Sequence, residues 1–275
     1  MSAAPAPKPS LRREAASFGV GGVVGVLGGL LGLGGAEFRL PLLIGWFRFG
    51  ALEAVILNKA VSLVVVAAAL PSRAHAVPLE ALAAHVWILA ELLGGSLLGA
   101  WFGASWATRM RSDRLHRVIA VLLLAIAGVL LAGHDPAGSG RPVLDGHAQL
   151  AGALAAGFGI GGVAALLGVA GGELLIPTLV LLFGADIKLA GSLSLAVSLP
   201  TMLVAFARYS RDASFAVLGR QRRFVLAMAA GSLAGVFAGG RLLAFAPGAL
   251  LVPLLAAILA VSAVKTWRTA PDQAR

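Results

Sequence analysis

The chain has 275 residues, 59% of them hydrophobic and only 12% charged, with a net charge of +10. A soluble domain carries about 25% charged residues, and several apolar stretches here approach or exceed the roughly 20 residues that cross a bilayer core. The composition therefore excludes an ordinary soluble domain and predicts an all-α polytopic membrane protein. The basic excess lies in short loops, as membrane topology requires, so no nucleic-acid partner is expected. With no cysteine, disulfides, iron–sulfur clusters and thiolate metal sites are excluded.

In chain order, residues 1–16 form a polar, Pro/Ala-rich tail that runs into the first apolar segment without a clear cleavage site, and it is read as retained. A glycine-rich segment at about 17–49 carries "LGLGGAEFRLP" (31–41). Apolar runs follow near 53–70, 84–105 and 116–133, and a polar, turn-rich linker occupies 134–147. A second glycine-rich segment at about 150–184 carries "LGVAGGELLIP" (167–177). Runs near 189–206, 223–243 and 249–266 come next, and 269–275 is a polar tail.

The second half repeats the first at an offset of 136 residues. Between positions 25 and 63 the ungapped match has 15 identities in 39 positions, including Gly32/Gly168, Gly35/Gly171, Glu37/Glu173 and Pro41/Pro177. Matched glutamates and prolines are not explained by a greasy composition. The same offset pairs Gly95, Gly99 and Gly103 with Gly231, Gly235 and Gly239. One unit was doubled, giving repeats over 17–133 and 148–268.

Loop charge decides the relative orientation of the repeats. Arg39 and Lys59 lie inside apolar segments, leaving 20 Lys and Arg in loops and tails. If each opening segment enters and returns, 16 of these share one side and 4 the other; if it crosses once, the split is 13 against 7. The positive-inside rule favours the first arrangement, which is a pair of inverted repeats with both termini cytoplasmic.

Backbone that leaves helical geometry inside a membrane survives only where protein or a water-filled cavity covers it. The glycine pairs Gly34–Gly35 and Gly171–Gly172 are the expected breaks. Pro41 and Pro177 lack an N–H and suit the first turn of a resumed half-helix. Gly/Pro-interrupted segments at matching places in two halves point to a transporter's central site. A half-helix start offers N–H groups and the positive end of a dipole, which attract an anion.

Lys59 is an intramembrane cation and a functional candidate on that ground alone. Its counterpart is Leu195, while Asn58 matches Ser194, so the expected site is asymmetric. Each candidate also has a plainer reading. Glu37 and Glu173 either cap a half-helix or carry a coupling proton. Arg39, whose counterpart is Leu175, either pairs with Glu37 or joins the site. Lys59 snorkels if its helix starts late. The Gly-x-x-x-Gly ladders read as helix-packing faces. The five His lie near segment ends or in loops, without a helical pair, so no metal and no cofactor are expected. No phosphate-binding loop, Gly-x-Ser-x-Gly or His-Glu-x-x-His occurs, which argues against an ATP-driven motor and against the usual hydrolases.

The doubled Gly/Pro motif, each copy followed by an Ala/Ser-rich helix, resembles the sulfite exporter TauE/SafE family of membrane permeases over about residues 17–268. The resemblance maps the family's glycines and proline onto Gly32, Gly34, Gly35 and Pro41, and onto Gly168, Gly171, Gly172 and Pro177. Glu37 and Glu173 replace the apolar or small residue common in the family, and Ala170 stands where the first repeat has Gly34. It implies a secondary transporter of sulfite, a sulfonate or a related sulfur-containing or organic anion in a bacterial inner membrane; a coupling proton is expected only from the placement of Glu37 and Glu173. Gly34, Gly35, Glu37, Arg39, Asn58, Lys59, Gly171, Gly172, Glu173 and Ser194 are the expected substrate-binding residues. A passive anion channel and a membrane-embedded enzyme or assembly factor are the competing readings; an enzyme is not expected.

Overall fold

The computed structural model describes residues 11–31, 35–72, 79–111, 146–185 and 187–242, with a few single positions between 114 and 264. In the first repeat, α1 is Leu11–Leu31, α2 Ala36–Gly45, α3 Ala51–Ser72, α4 Leu79–Ala84 and α5 Val86–Arg109. In the second, α6 is Gly146–Leu167, α7 Gly172–Phe183 and α8 Ile187–Tyr209, followed by a 3-10 turn at Ala213–Ala216, α9 at Val217–Arg220 and α10 at Arg222–Leu242. Shifted by 136, the first residues of α2, α3 and α5 fall on the first residues of α7, α8 and α10. The apolar runs near 116–133 and 249–266 lie almost wholly outside the described residues. Among the described residues, four helices are long and apolar enough to cross a membrane, within α3, α5, α6 and α8. Of these, α3 and α8 are the central pair: 61% of each apolar window is buried, against 33% in α5 and 44% in α6.

The repeats are interlocked. The first helix of each packs on the last described long helix of the other, so α1 pairs with α10 and α6 with α5. Glycines make both contacts. A Cβ on Gly99 would lie 1.9 Å from the Phe158 carbonyl oxygen, and one on Gly235 2.2 Å from that of Gly22. The contacts between Gly25 and Ser232 and between Gly161 and Ser96 are related in the same way. When residue i meets j and the counterpart of i meets the counterpart of j, the relation is a two-fold. Lipid supplies no hydrophobic drive between helices, so backbone-to-backbone approach at small residues supplies the association.

Each opening segment is a helical hairpin that returns to its starting end. Arg13, at the start of α1, donates from Nη2 to the carbonyl of Phe47, just past the end of α2, at 3.1 Å. Its counterpart Gln149, at the start of α6, donates to the carbonyl of Leu182 near the end of α7 at 2.8 Å. The short helix therefore returns to the side from which the long one entered. After that return, α3 starts at the same end as α1. Glu53 in its first turn pairs with Arg220 at 2.9 Å, and Arg220 lies in the connection between the end of α8 and the start of α10. Helix α3 thus begins where its counterpart α8 finishes, and the repeats are inverted. Arg208 near the end of α8 also donates to Ser105 near the end of α5 at 2.7 Å, so the termini rich in arginine gather at one end of the bundle.

Candidate functional site

The hairpin tips turn on glycine. Gly35 and Gly171 precede α2 and α7 with φ of 65° and 83°, in the left-handed region, and neither short helix has a side-chain cap. Gly168 has φ 69° and ends α6 in a tight double turn. Its N–H reaches the carbonyl of Ala165 at 3.1 Å while that of Val169 reaches Ala164 at 3.0 Å, the pairing of a Schellman C-cap. A Cβ on Gly168 would lie 2.4 Å from the Val55 carbonyl oxygen on α3, so this tip is pressed against the central helix.

The prolines sit deeper than the sequence expectation. Pro41 is the sixth residue of α2 and Pro177 the sixth of α7, whereas the motif suggested the first turn. The glycines, by reversing the chain, set the helix start five residues earlier. In these positions the missing N–H deprives the carbonyls of Glu37 and Glu173 of their usual i+4 donor. The side chains of Glu37 and Glu173 lie outside the described residues, as do Gly32 and Gly34.

One turn of α3 gathers the polar groups. Asn58 donates to the carbonyl of Ala36, the first residue of α2, at 2.9 Å and to that of Leu167, the last residue of α6, at 3.3 Å. A single side chain thus bridges both hairpins. Lys59 is fully buried and donates to the carbonyls of Ala164 and Val169 at 2.9 and 2.8 Å. Tyr209, the last residue of α8, donates to the carbonyl of Ala165 at 2.8 Å. The C-terminal carbonyls of α6, the negative end of its dipole, therefore face an ammonium, an amide and a phenol.

Arg39, also fully buried, joins three helices. Its Nε donates to Asn58 Oδ1 at 3.1 Å, Nη1 to Ser232 on α10 at 3.1 Å and Nη2 to Ser62 at 2.7 Å. Ser62 in turn donates to the Asn58 carbonyl at 2.7 Å. A buried guanidinium is tolerable only when its donors are met in this way.

The second repeat builds the matching place differently. Leu175 stands where Arg39 does and belongs to an apolar cluster with Leu179, Leu193 and Val197. Ser194, the counterpart of Asn58, turns back onto its own helix and donates to the Gly191 carbonyl at 2.9 Å. Ser198 donates to the carbonyl of Ala170 in the tip of the second hairpin at 2.7 Å. Of the residues expected from sequence, Gly35, Arg39, Asn58 and Lys59 share a neighbourhood with the Gly168 tip, while Gly171 ends the adjoining turn and Gly172 begins α7. Ser194 does not project into the network formed by Arg39. Sequence reasoning passed over Ser62, Ser232, Ser198 and Tyr209. Signals existed: Ser62/Ser198 is an identity of the repeat alignment, Ser232 is matched by Ser96, and Tyr209 is the chain's one tyrosine.

A family model for the sulfite exporter TauE/SafE family matches the chain over residues 2–131 and 118–266. The protein is a member of the TauE/SafE family. No curated protein and no solved structure matches the chain. Membership ties it to membrane transport of sulfur-containing anions, with lipid and a small anion as its partners, and to transporters rather than enzymes. Two matched segments in one TauE/SafE chain agree with the duplication seen in both sequence and fold.

Proposed function

We propose that the protein is a secondary transporter of a small sulfur-containing anion, sulfite or a sulfonate, bound where the two hairpins meet. The observation that carries this reading is the Asn58 bridge between the start of α2 and the end of α6, with the cations Arg39 and Lys59 buried beside it. An oxyanion there meets the uncapped N–H end of a half-helix, whose dipole favours negative charge, and two cations held in protein. Inverted repeats supply the moving parts: the tightly packed pairs α1/α10 and α5/α6, each with one helix from either repeat, rock as units around the bound anion. Gly34, Gly35, Gly171 and Gly172 let the anion approach backbone, with Glu37 or Glu173 taking the coupling proton. The arginine-rich end faces the cytoplasm of a bacterial cell, under the positive-inside rule.

The test is sulfite flux in proteoliposomes of the purified protein, with and without an imposed pH gradient and with a sulfonate competitor. Gradient-driven, competable flux supports a coupled transporter. Flux that only follows the sulfite gradient makes it a passive channel, and no flux from folded protein removes sulfite as the substrate.

A further inference from the structure

A second basic site lies away from the hairpin tips. At the arginine-rich end a cavity of about 200 Å³ opens between α1 and the start of α10, lined by Arg13, Glu14, Arg220, Arg222, Arg223 and Phe224 among others. Beyond the Arg220–Glu53 pair, the lining holds three more guanidiniums, of Arg13, Arg222 and Arg223, against the single carboxylate of Glu14. Arg13 is held in place as one wall. It donates to the Phe47 carbonyl at 3.1 Å, and its guanidinium carbon lies 4.8 Å from the Phe49 ring and 5.4 Å from that of Phe224. A guanidinium ordered by aromatic faces loses little further entropy when it meets an oxyanion.

The duplication supplies an internal comparison. At the opposite end of the bundle the same corner is built by the start of α6 and the start of α5. There Gln149, Leu150, Ala84, Val86 and Trp87 stand at the places of Arg13, Glu14, Arg220, Arg222 and Arg223. With His85 at the place of Gln221, the fold builds this corner without an arginine or a carboxylate at any of these places, so the arginines are not a demand of packing. Topological charge bias explains arginine in loops, but not its collection around a concavity. Directly beyond the basic corner the surface becomes apolar, with Phe18 and Leu226 exposed at 49% and 67%. That sequence of surfaces, guanidiniums and then exposed hydrocarbon on the same two helices, matches a phospholipid at the bilayer edge.

We propose that this cavity binds the phosphate ester of an anionic lipid headgroup, with the acyl chains lying along Phe18 and Leu226. Arg222 and Arg223 are exposed, so the paired variant Arg222→Gln/Arg223→Gln is expected to fold. The variant Arg109→Gln/Arg114→Gln removes the same charge from exposed positions outside the cavity and serves as its control. Lipid retention by the full chain is read by native mass spectrometry after equal exposure to phosphatidylglycerol and phosphatidylcholine. Thermal melting with and without inorganic phosphate is read in parallel. The expected result is several-fold preferential retention of phosphatidylglycerol by the wild type and the control, lost in the cavity variant. A phosphate-dependent rise in melting temperature that the cavity variant lacks, without any lipid preference, supports the same chemistry with the free anion as its source. No preference and no phosphate effect in the wild type, or equal loss in both paired variants, overturns the site.

Discussion

Arg39 and Leu175 occupy the fourth place of α2 and of α7, 136 residues apart, and only the first is charged. Arg39 holds Asn58, Ser62 and Ser232, while Leu175 is one member of an apolar cluster. The two halves of the bundle therefore share a backbone plan and divide the chemistry unequally. An anion placed between the hairpins meets its buried cations from the side of the first repeat.

That division makes Arg39→Leu an informative substitution, because the second repeat already accepts leucine there. Loss of three donated bonds is partly offset by no longer burying a charge, so the stability change is expected to stay within about 2 kcal/mol. Flux should fall by about tenfold or more, equivalent to losing one charge-assisted bond of about 1.5–3 kcal/mol. Arg39→Lys should not rescue it, since a single ammonium cannot reach three acceptors on three sides. Melting and flux measured on the same preparations test this; wild-type flux in Arg39→Leu would remove the residue from the transport site.

Lys59 has a structural duty at the end of α6 as well as its proposed role toward the anion. In Lys59→Met the Ala164 carbonyl keeps the N–H of Val169, but the Val169 carbonyl loses the ammonium seen at 2.8 Å. A buried acceptor left unmet costs about 1–3 kcal/mol, so a lower melting temperature in detergent is expected together with reduced sulfite flux. An unchanged melting temperature would show that the ammonium does not support the tip.

The glycine ladders predict position-specific effects. Gly99→Ala and Gly235→Ala place a methyl against backbone carbonyls at 1.9 and 2.2 Å, and backbone can yield only by separating the helices. Each is expected to destabilise by about 1–3 kcal/mol or more. Gly19 and Gly159 have nothing within 4 Å of an added Cβ, and their counterparts are Ala155 and Val23. Alanine at either should be neutral or stabilising by up to about 1 kcal/mol through helix propensity. Thermal melts of the four variants decide the matter, and equal behaviour across them would contradict the interlocked packing.

Arg48 is the one non-glycine residue with positive φ among those described, at 57°. Its counterpart is Gly184, at 64°, and in both repeats the next N–H closes the turn, from Phe49 to Leu43 and from Ala185 to Leu179. Left-handed geometry costs a side-chain-bearing residue about 1–2 kcal/mol, and glycine's extra freedom when unfolded takes back about 0.5–1 kcal/mol. Arg48→Gly should therefore raise stability slightly, by about 1.5 kcal/mol at most. A clear loss in melting temperature would mean that the arginine side chain contributes more than its backbone strain costs.

The membrane class, the duplication, the breaks near Gly35 and Gly171 and the packing glycines were all legible in the amino-acid sequence. They follow from composition, from spacing and from the local freedom of glycine, none of which needs a distant partner. The inversion was inferable from loop charge, because membrane insertion acts on one segment and its flanks at a time. The three-dimensional fold alone decided which surfaces meet. It returned each short helix to the start of the long one, paired α1 with α10 and α5 with α6, and moved the prolines into the second turn. It also brought Lys59 to carbonyls 105 and 110 residues away and Arg39 to Ser232, 193 residues distant. A small-residue face or a buried donor states that it must be satisfied, but many distant faces and acceptors fit equally well. Only the closed packing of the whole bundle leaves one of them within reach.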